Sequence, residues 1–202
     1  MSAPSLLISL GMCIFVFSIR YFMSVTMRFI MLPVLLLLLF GSALSAQRSA
    51  DAIQWFSWNE GLAKAGKEGK KVLIYVYAHA CGWCRKMETE TFHQAAVAQL
   101  VRTSFIPVKL NVADQADHDF NGKTYKFVQA GANSYHTLVA EVLNGRMTFP
   151  SIVFLDETQQ PLQAIAGFKT AEEFLPIGLY YGNGFYKTMP WSSFQKKYAA
   201  GN

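Results

Sequence analysis

Apolar residues fall along this chain in short blocks, and the spacing inside each block predicts an element. The densest block beyond residue 50 is KVLIYVYA, Lys71 to Ala78, apolar almost throughout and rich in β-branched and aromatic side chains. It predicts a strand covered on both faces. FIPVKLNV, Phe105 to Val112, predicts another, and IQWF, Ile53 to Phe56, a short one ahead of both. SWNE then opens a helix to about Lys67, with Ser57 as N-cap, Glu60 reaching back and Gly69 ending it. From Cys81 the period changes: Met87, Phe92, Val97 and Leu100 share one helical face, predicting a helix to about Thr103 with a bend near Thr89 to Thr91. Strands alternating with helices imply a sheet with a parallel core.

The second half is more polar at first. Ala113 to Ser134 reads as an insertion after the third strand, carrying a hairpin whose turn is Asn121-Gly122. YHTLVAEVLNG, Tyr135 to Gly145, predicts a helix closed by Asn144-Gly145. SIVFLD (Ser151 to Asp156) and LQAIAGF (Leu162 to Phe168), separated by a polar turn ending at Pro161, predict an antiparallel pair. Thr170 and Glu173 form a second capping box, opening a helix that Pro176 is expected to kink or shorten, and WSSFQKKYAA gives a tail helix. Residues 47–202 carry no internal repeat or low-complexity linker and read as one α/β domain.

The front of the chain is different. Residues 1–46 hold Arg20 and Arg28 but no acidic residue. The apolar runs Leu6–Phe17 and Phe29–Phe40 are shorter than the roughly 17–25 residues of a membrane-spanning helix. MRFIMLPVLLLLLFGSALSAQ, from Met27, has the basic start, leucine-rich centre and small-residue end of a secretory signal peptide, with cleavage expected after Ala46 or Ser45. Residues 1–26 then read as a gene-model extension. Contact with a membrane is expected only through this segment, were it to stay uncleaved as an anchor. Met12 before Cys13 is too bulky for a lipoprotein signal.

Removing the two leader arginines lowers the net charge from +5 to +3, and the remaining cations form no long run, so nucleic acid is not an expected partner. Cysteine use is more informative. Without Cys13 only Cys81 and Cys84 remain, at Cys-x-x-Cys spacing and at the junction of a strand and a helix. There Cys81 meets the unpaired N–H groups and the dipole of a helix start, which stabilise a thiolate. Cys84, nearly one turn on, is within bridging distance and placed to resolve a mixed disulfide. Arg85 and Lys86 add positive charge nearby.

Three other uses of the pair stay open. A zinc site wants four ligands, and only His79 and His93 stand close in sequence. Cu(I) suits soft thiolates, but no methionine–histidine cluster accompanies them. A purely structural disulfide over so short a loop removes little chain entropy from the unfolded state. No metal ligand and no organic cofactor is assigned.

CGWCRKMETETF, IPVKLNV and NGRMTFPSIVFLDE together resemble the thioredoxin superfamily, and more narrowly the exported thioredoxin-like proteins of bacterial cell envelopes, over about Gly69 to Tyr180. The resemblance implies a thioredoxin fold with a mixed central sheet flanked by helices. It also implies thiol–disulfide oxidoreductase activity in the periplasm or cell envelope, on protein thiols and disulfides, fed by a membrane or periplasmic electron donor, with reduction favoured by analogy. Pro150 becomes the family's cis-proline against the cysteines, and Phe149, Pro150 and Trp83 the substrate-docking lip, with Trp83 exposed or else packed on Phe149. Several positions depart from the pattern. Gly82-Trp83 replaces Gly-Pro between the cysteines, Ala80 replaces a tryptophan, and Tyr75 stands where the family has a buried acid. Lys109 matches the lysine that accompanies that acid. Proton transfer from Cys84 is then expected through water or through Glu88, one turn along the same helix face, unless Glu88 is simply a solvated residue.

Other features carry less. DHDFNG (Asp117, Asp119, Asn121, Gly122) matches half a calcium loop but lacks the closing glutamate. His118 and His136 read as isolated, and Trp55, Trp58 and Trp191 as core or margin residues. The competing class is a non-catalytic binding module or Cu(I)/metal carrier using the hairpin insertion and the tail from Gly182 onward.

Overall fold

The densest apolar block beyond residue 50 becomes the second strand of a four-stranded sheet. In the computed structural model, which describes residues 52–131 and 134–201, β1 (Lys71–Tyr77) pairs in parallel with β2 (Phe105–Asn111) and antiparallel with β7 (Ser151–Leu155). β8 (Pro161–Ala166) adds antiparallel to β7, giving the order β2-β1-β7-β8. Side chains alternate across a strand, so β1 feeds two cores. Val72, Ile74 and Val76 join Trp58, Leu62, Val108 and Leu138 on one face; Leu73 and Tyr75 join Met87, Phe92, Phe154 and Phe174 on the other. From Val72 to Val76 both faces of β1 are fully buried, hence the apolar run there.

Both capping boxes form. The Glu60 carboxylate accepts from the N–H and hydroxyl of Ser57 ahead of α1 (Trp58–Glu68), and Gly69 closes that helix with a left-handed φ of 61°. A Cβ at Gly61 would collide with Val108, so this glycine lets α1 settle directly on β2. Ile53 to Phe56 does not become a strand. Only Phe56 bridges to β2, donating to the Pro107 carbonyl at 2.9 Å and accepting from Lys109 N–H at 3.0 Å. The cap at Ser57 turns the chain immediately afterwards, and Pro107 has no N–H to extend the ladder.

The expected bent helix is three pieces: α2 (Gly82–Met87), a π turn over Glu88–Phe92, and α3 (Ala95–Ser104). The Thr91 hydroxyl donates to Lys169 O at 2.5 Å and Phe92 is buried, which draws this turn towards the sheet and the helix that follows Thr170. α5 (Ala171–Gly182) is opened by Thr170 and Glu173 and runs on through Pro176, contrary to the expected shortening. The carbonyl that Pro176 leaves without a helical partner belongs to exposed Glu172, where water can satisfy it. A short 3₁₀ turn (Phe185–Lys187) and α6 (Trp191–Ala199) finish the chain, with Phe194 packed on Tyr180.

The insertion is built around two small ribbons. β3 (His118–Phe120) and β4 (Lys123–Tyr125) form the hairpin on Asn121-Gly122, both at positive φ as a type I′ turn needs. The helix expected from Tyr135 starts only at Thr137. Tyr135–His136 (β6) instead pairs with Phe127–Val128 (β5), and α4 covers Thr137–Val142. His136 is held there because its N–H donates to Val112 O at 2.7 Å and its ring caps α4.

His118 and His136 are not isolated. Both are buried, with ring centroids 4.8 Å apart. His118 Nε2 lies 3.0 Å from Asp114, and His136 bridges Ala116 O at Nε2 (2.9 Å) and Leu138 N–H at Nδ1 (3.2 Å). Accepting at Nδ1 and donating at Nε2 is the neutral tautomer; a second proton would face the Leu138 N–H. Burial lowers the pKa of His136, the Ala116 carbonyl opposes this, and the neighbouring His118 lowers it further. The unfolded chain therefore binds the proton first as pH falls below about 6.5, and stability is lost through that window, whereas above it the contribution is complete. Urea midpoints at pH 7.5 and 5.0 should show this loss, and His136→Gln should flatten it. Equal midpoints for the unsubstituted chain would refute it.

Candidate active site

β1 and β7 run antiparallel, so the end of one meets the start of the other. Val76 pairs with Ser151, which places the Phe149–Pro150 peptide at the end of the sheet from which the cysteine loop emerges. That peptide bond is cis, as the resemblance implies, and Pro150 is buried with Phe149 half-buried. After β1 a short turn, with Cys81 N–H donating to Ala78 O, brings Cys81 to the N-cap of α2.

The pair is joined as a disulfide, with a Cα–Cα separation of 5.2 Å. Its two sulfurs have unequal surroundings. Cys81 is half-buried and its Sγ accepts the Cys84 N–H at 3.1 Å, whereas Cys84 is only 1% exposed. Cys81 is therefore the more exposed cysteine of the pair.

Tyr75 is fully buried, with its hydroxyl donating to Cys84 O at 2.8 Å. Burial, then the charge of Glu88 and the neighbouring Tyr77, pushes this phenol above its ordinary range. It stays protonated and fixes the backbone under Cys84 without serving as a base.

Glu88 is not a free surface residue. Its carboxylate pairs with Lys109 Nζ at 3.1 Å, and that ammonium also sits over the rings of Trp55, Tyr75 and Tyr77 at 5.4–5.8 Å. Both residues, with Tyr77, His79, Arg85 and Cys84, line a cleft of about 310 Å³. The structure thus brings Glu88 and Lys109 together beside the buried cysteine. Trp83 is 58% exposed as expected, but its neighbour is Phe168, with ring centroids 5.6 Å apart, and not Phe149. Phe168 was not legible as a site residue, because only the long-range pairing of β8 with β7 brings it there; its one local signal is the Gly167 before it. Among the described residues, no three His, Cys, Asp or Glu side chains are grouped to hold a metal ion, so His79 and His93 do not complete a ligand set with the pair. The segment expected to be a signal peptide, residues 1–46 with Cys13, lies outside the described residues.

A mixed β2-β1-β7-β8 sheet that sets a Cys-x-x-Cys disulfide at a helix start, with a cis-proline at the same sheet end, defines a thioredoxin fold. The chain belongs to the thioredoxin-like domain family, whose sequence profile matches residues 58–182. Among curated proteins it is similar to human spermatogenesis-associated protein 20, with 34% identity over 86 residues, 42% of this chain but only 11% of that protein. Among solved structures it is similar to a thioredoxin-fold protein from Helicobacter pylori, at a TM-score of 0.50 and 19% identity, covering 66% of this chain and 82% of that one. That likeness shows the fold.

Proposed function

We propose that the chain is a thiol–disulfide oxidoreductase for protein substrates, with Cys81 as attacking thiol and Cys84 as resolving thiol. The observation that carries this is the unequal exposure of the two sulfurs at one helix start. In the reducing direction, the Cys81 thiolate attacks a substrate disulfide; an S–S bond forms to Cys81 and the other substrate sulfur leaves as a thiolate. Cys84 then gives up its proton and attacks Cys81 Sγ. The Cys81–Cys84 disulfide closes and the second substrate sulfur leaves, so the substrate gains two electrons and the pair loses them. Reduction is the favoured direction by analogy with the family, and an electron donor of the membrane or periplasm would restore the dithiol. Placement in the periplasm or cell envelope is supported by the leader sequence alone.

Glu88 is the proton acceptor for Cys84 in this scheme, with Lys109 holding its carboxylate in the cleft. Trp83, Phe149 and Pro150 form the lip on which substrate docks. Single-turnover reduction of a model protein disulfide by the fully reduced chain tests the proposal: stoichiometric substrate thiol should appear as the pair oxidises. A mixture unchanged over hours would instead leave the fold as a non-catalytic binding module. Glu88→Gln should slow closure of the Cys81–Cys84 disulfide by about 10²-fold while leaving the first attack little changed. Equal closure rates would reduce Glu88 to a surface ion-pair partner.

A further inference from the structure

The rim beside Cys81 carries an arrangement that disulfide exchange alone does not require. The Lys86 ammonium lies over two rings at once, 5.1 Å from the centroid of Trp83 and 5.2 Å from that of Phe168. The rings come from different segments, α2 and the corner after β8, and the corner is fastened. Gly167 N–H donates to Pro150 O at 2.8 Å, and Lys169 Nζ donates to the carbonyls of Ala166 and Phe168 at 3.2 Å each. Phe168 is thereby tied to the cis-proline loop, and the two rings and the ammonium form a single platform next to the reactive sulfur.

The charge on this platform is only loosely matched. Lys86 has Glu90 at 3.7 Å, with both side chains well exposed, while the other nearby carboxylate, Glu88, is engaged by Lys109. Arg85, whose Nη1 donates to His79 O, adds a further cation on the same short helix. An exposed Trp83 beside a half-buried Phe168 gives apolar contact but little discrimination. A cation held by those rings adds a preference of sign, because a carboxylate arriving there gains a partner and an ammonium meets repulsion.

We propose that Lys86, seated on Trp83 and Phe168, is a specificity-determining residue that selects substrate segments carrying a carboxylate within a few residues of the reacting cysteine. This rests on the oxidoreductase function proposed above and names its substrate class: acidic, partly apolar segments around an exposed disulfide.

The test uses the full chain and three synthetic peptide disulfides that differ only at one position flanking the cysteine: Glu, Gln or Lys. At low ionic strength the ratio of kcat/KM for the Glu peptide to that for the Lys peptide should be about three- to fivefold, the size of an exposed ion pair, and should shrink towards one with added salt. Lys86→Glu should invert the ratio, and Phe168→Ala should weaken it without inversion. A general effect of Lys86 on Cys81 reactivity would move all three peptides together and leave the ratio alone. If the peptides turn over but Lys86→Glu and Lys86→Gln both keep the original ratio, the selectivity proposal is wrong and the oxidoreductase function stands. If no peptide turns over with the unsubstituted chain, both fall.

Discussion

Cys84→Ala is expected to turn the protein into a trap. Cys81 would still attack a substrate disulfide, but the sulfur proposed to resolve the product would be gone, and adducts sensitive to dithiothreitol should accumulate on non-reducing gels. Cys81→Ser should form no adduct and lower turnover by more than about 10³-fold, as loss of a nucleophile commonly does. The asymmetry follows from exposure: Cys84 lies buried with Tyr75 donating to its carbonyl, whereas Cys81 faces outward at the N-cap. Adducts of equal yield from Cys81→Ser would mean that the roles of the two sulfurs are reversed.

Phe154→Ala should destabilise the domain by about 3–5 kcal/mol, because deleting a buried aromatic ring removes its transfer energy and leaves a cavity. Phe154 is fully buried on β7, against Phe105 at 5.4 Å and stacked on Tyr181 at 4.6 Å, so it joins the sheet to α5. Chemical denaturation of the oxidised form measures this directly. A loss below about 1 kcal/mol would mean that the α5 layer collapses onto the space left behind.

Elements specified by local chemistry were legible in the sequence. Two capping boxes, an Asn-Gly turn and one doubly apolar strand each carry their own signal, and each forms where expected. The cysteine pair was legible for a similar reason, since its spacing at a strand–helix junction is a local fact, whereas the cis bond at Pro150 was implied only by the family resemblance. What stayed hidden depends on partners distant in the chain. Tyr135–His136 has a helical pattern but is held as a strand by Phe127–Val128 and Val112. His118 and His136, which look unrelated in sequence, meet because the hairpin folds back over Trp58, whose indole donates to Asp119 O at 3.0 Å. Glu88 gains its role from Lys109 on β2, 3.1 Å away, and Phe168 reaches the rim only through the β7–β8 pairing.

The central claim is that Cys81 and Cys84 form a working redox couple, and equilibration of the full chain against glutathione tests it most directly. A reversible two-electron transition is expected, with a potential between about −120 mV, that of a strong oxidant, and about −270 mV, that of thioredoxin. Failure to form the Cys81–Cys84 disulfide at any glutathione ratio would contradict it, as would a disulfide lying well below about −300 mV, where structural bridges resist reduction.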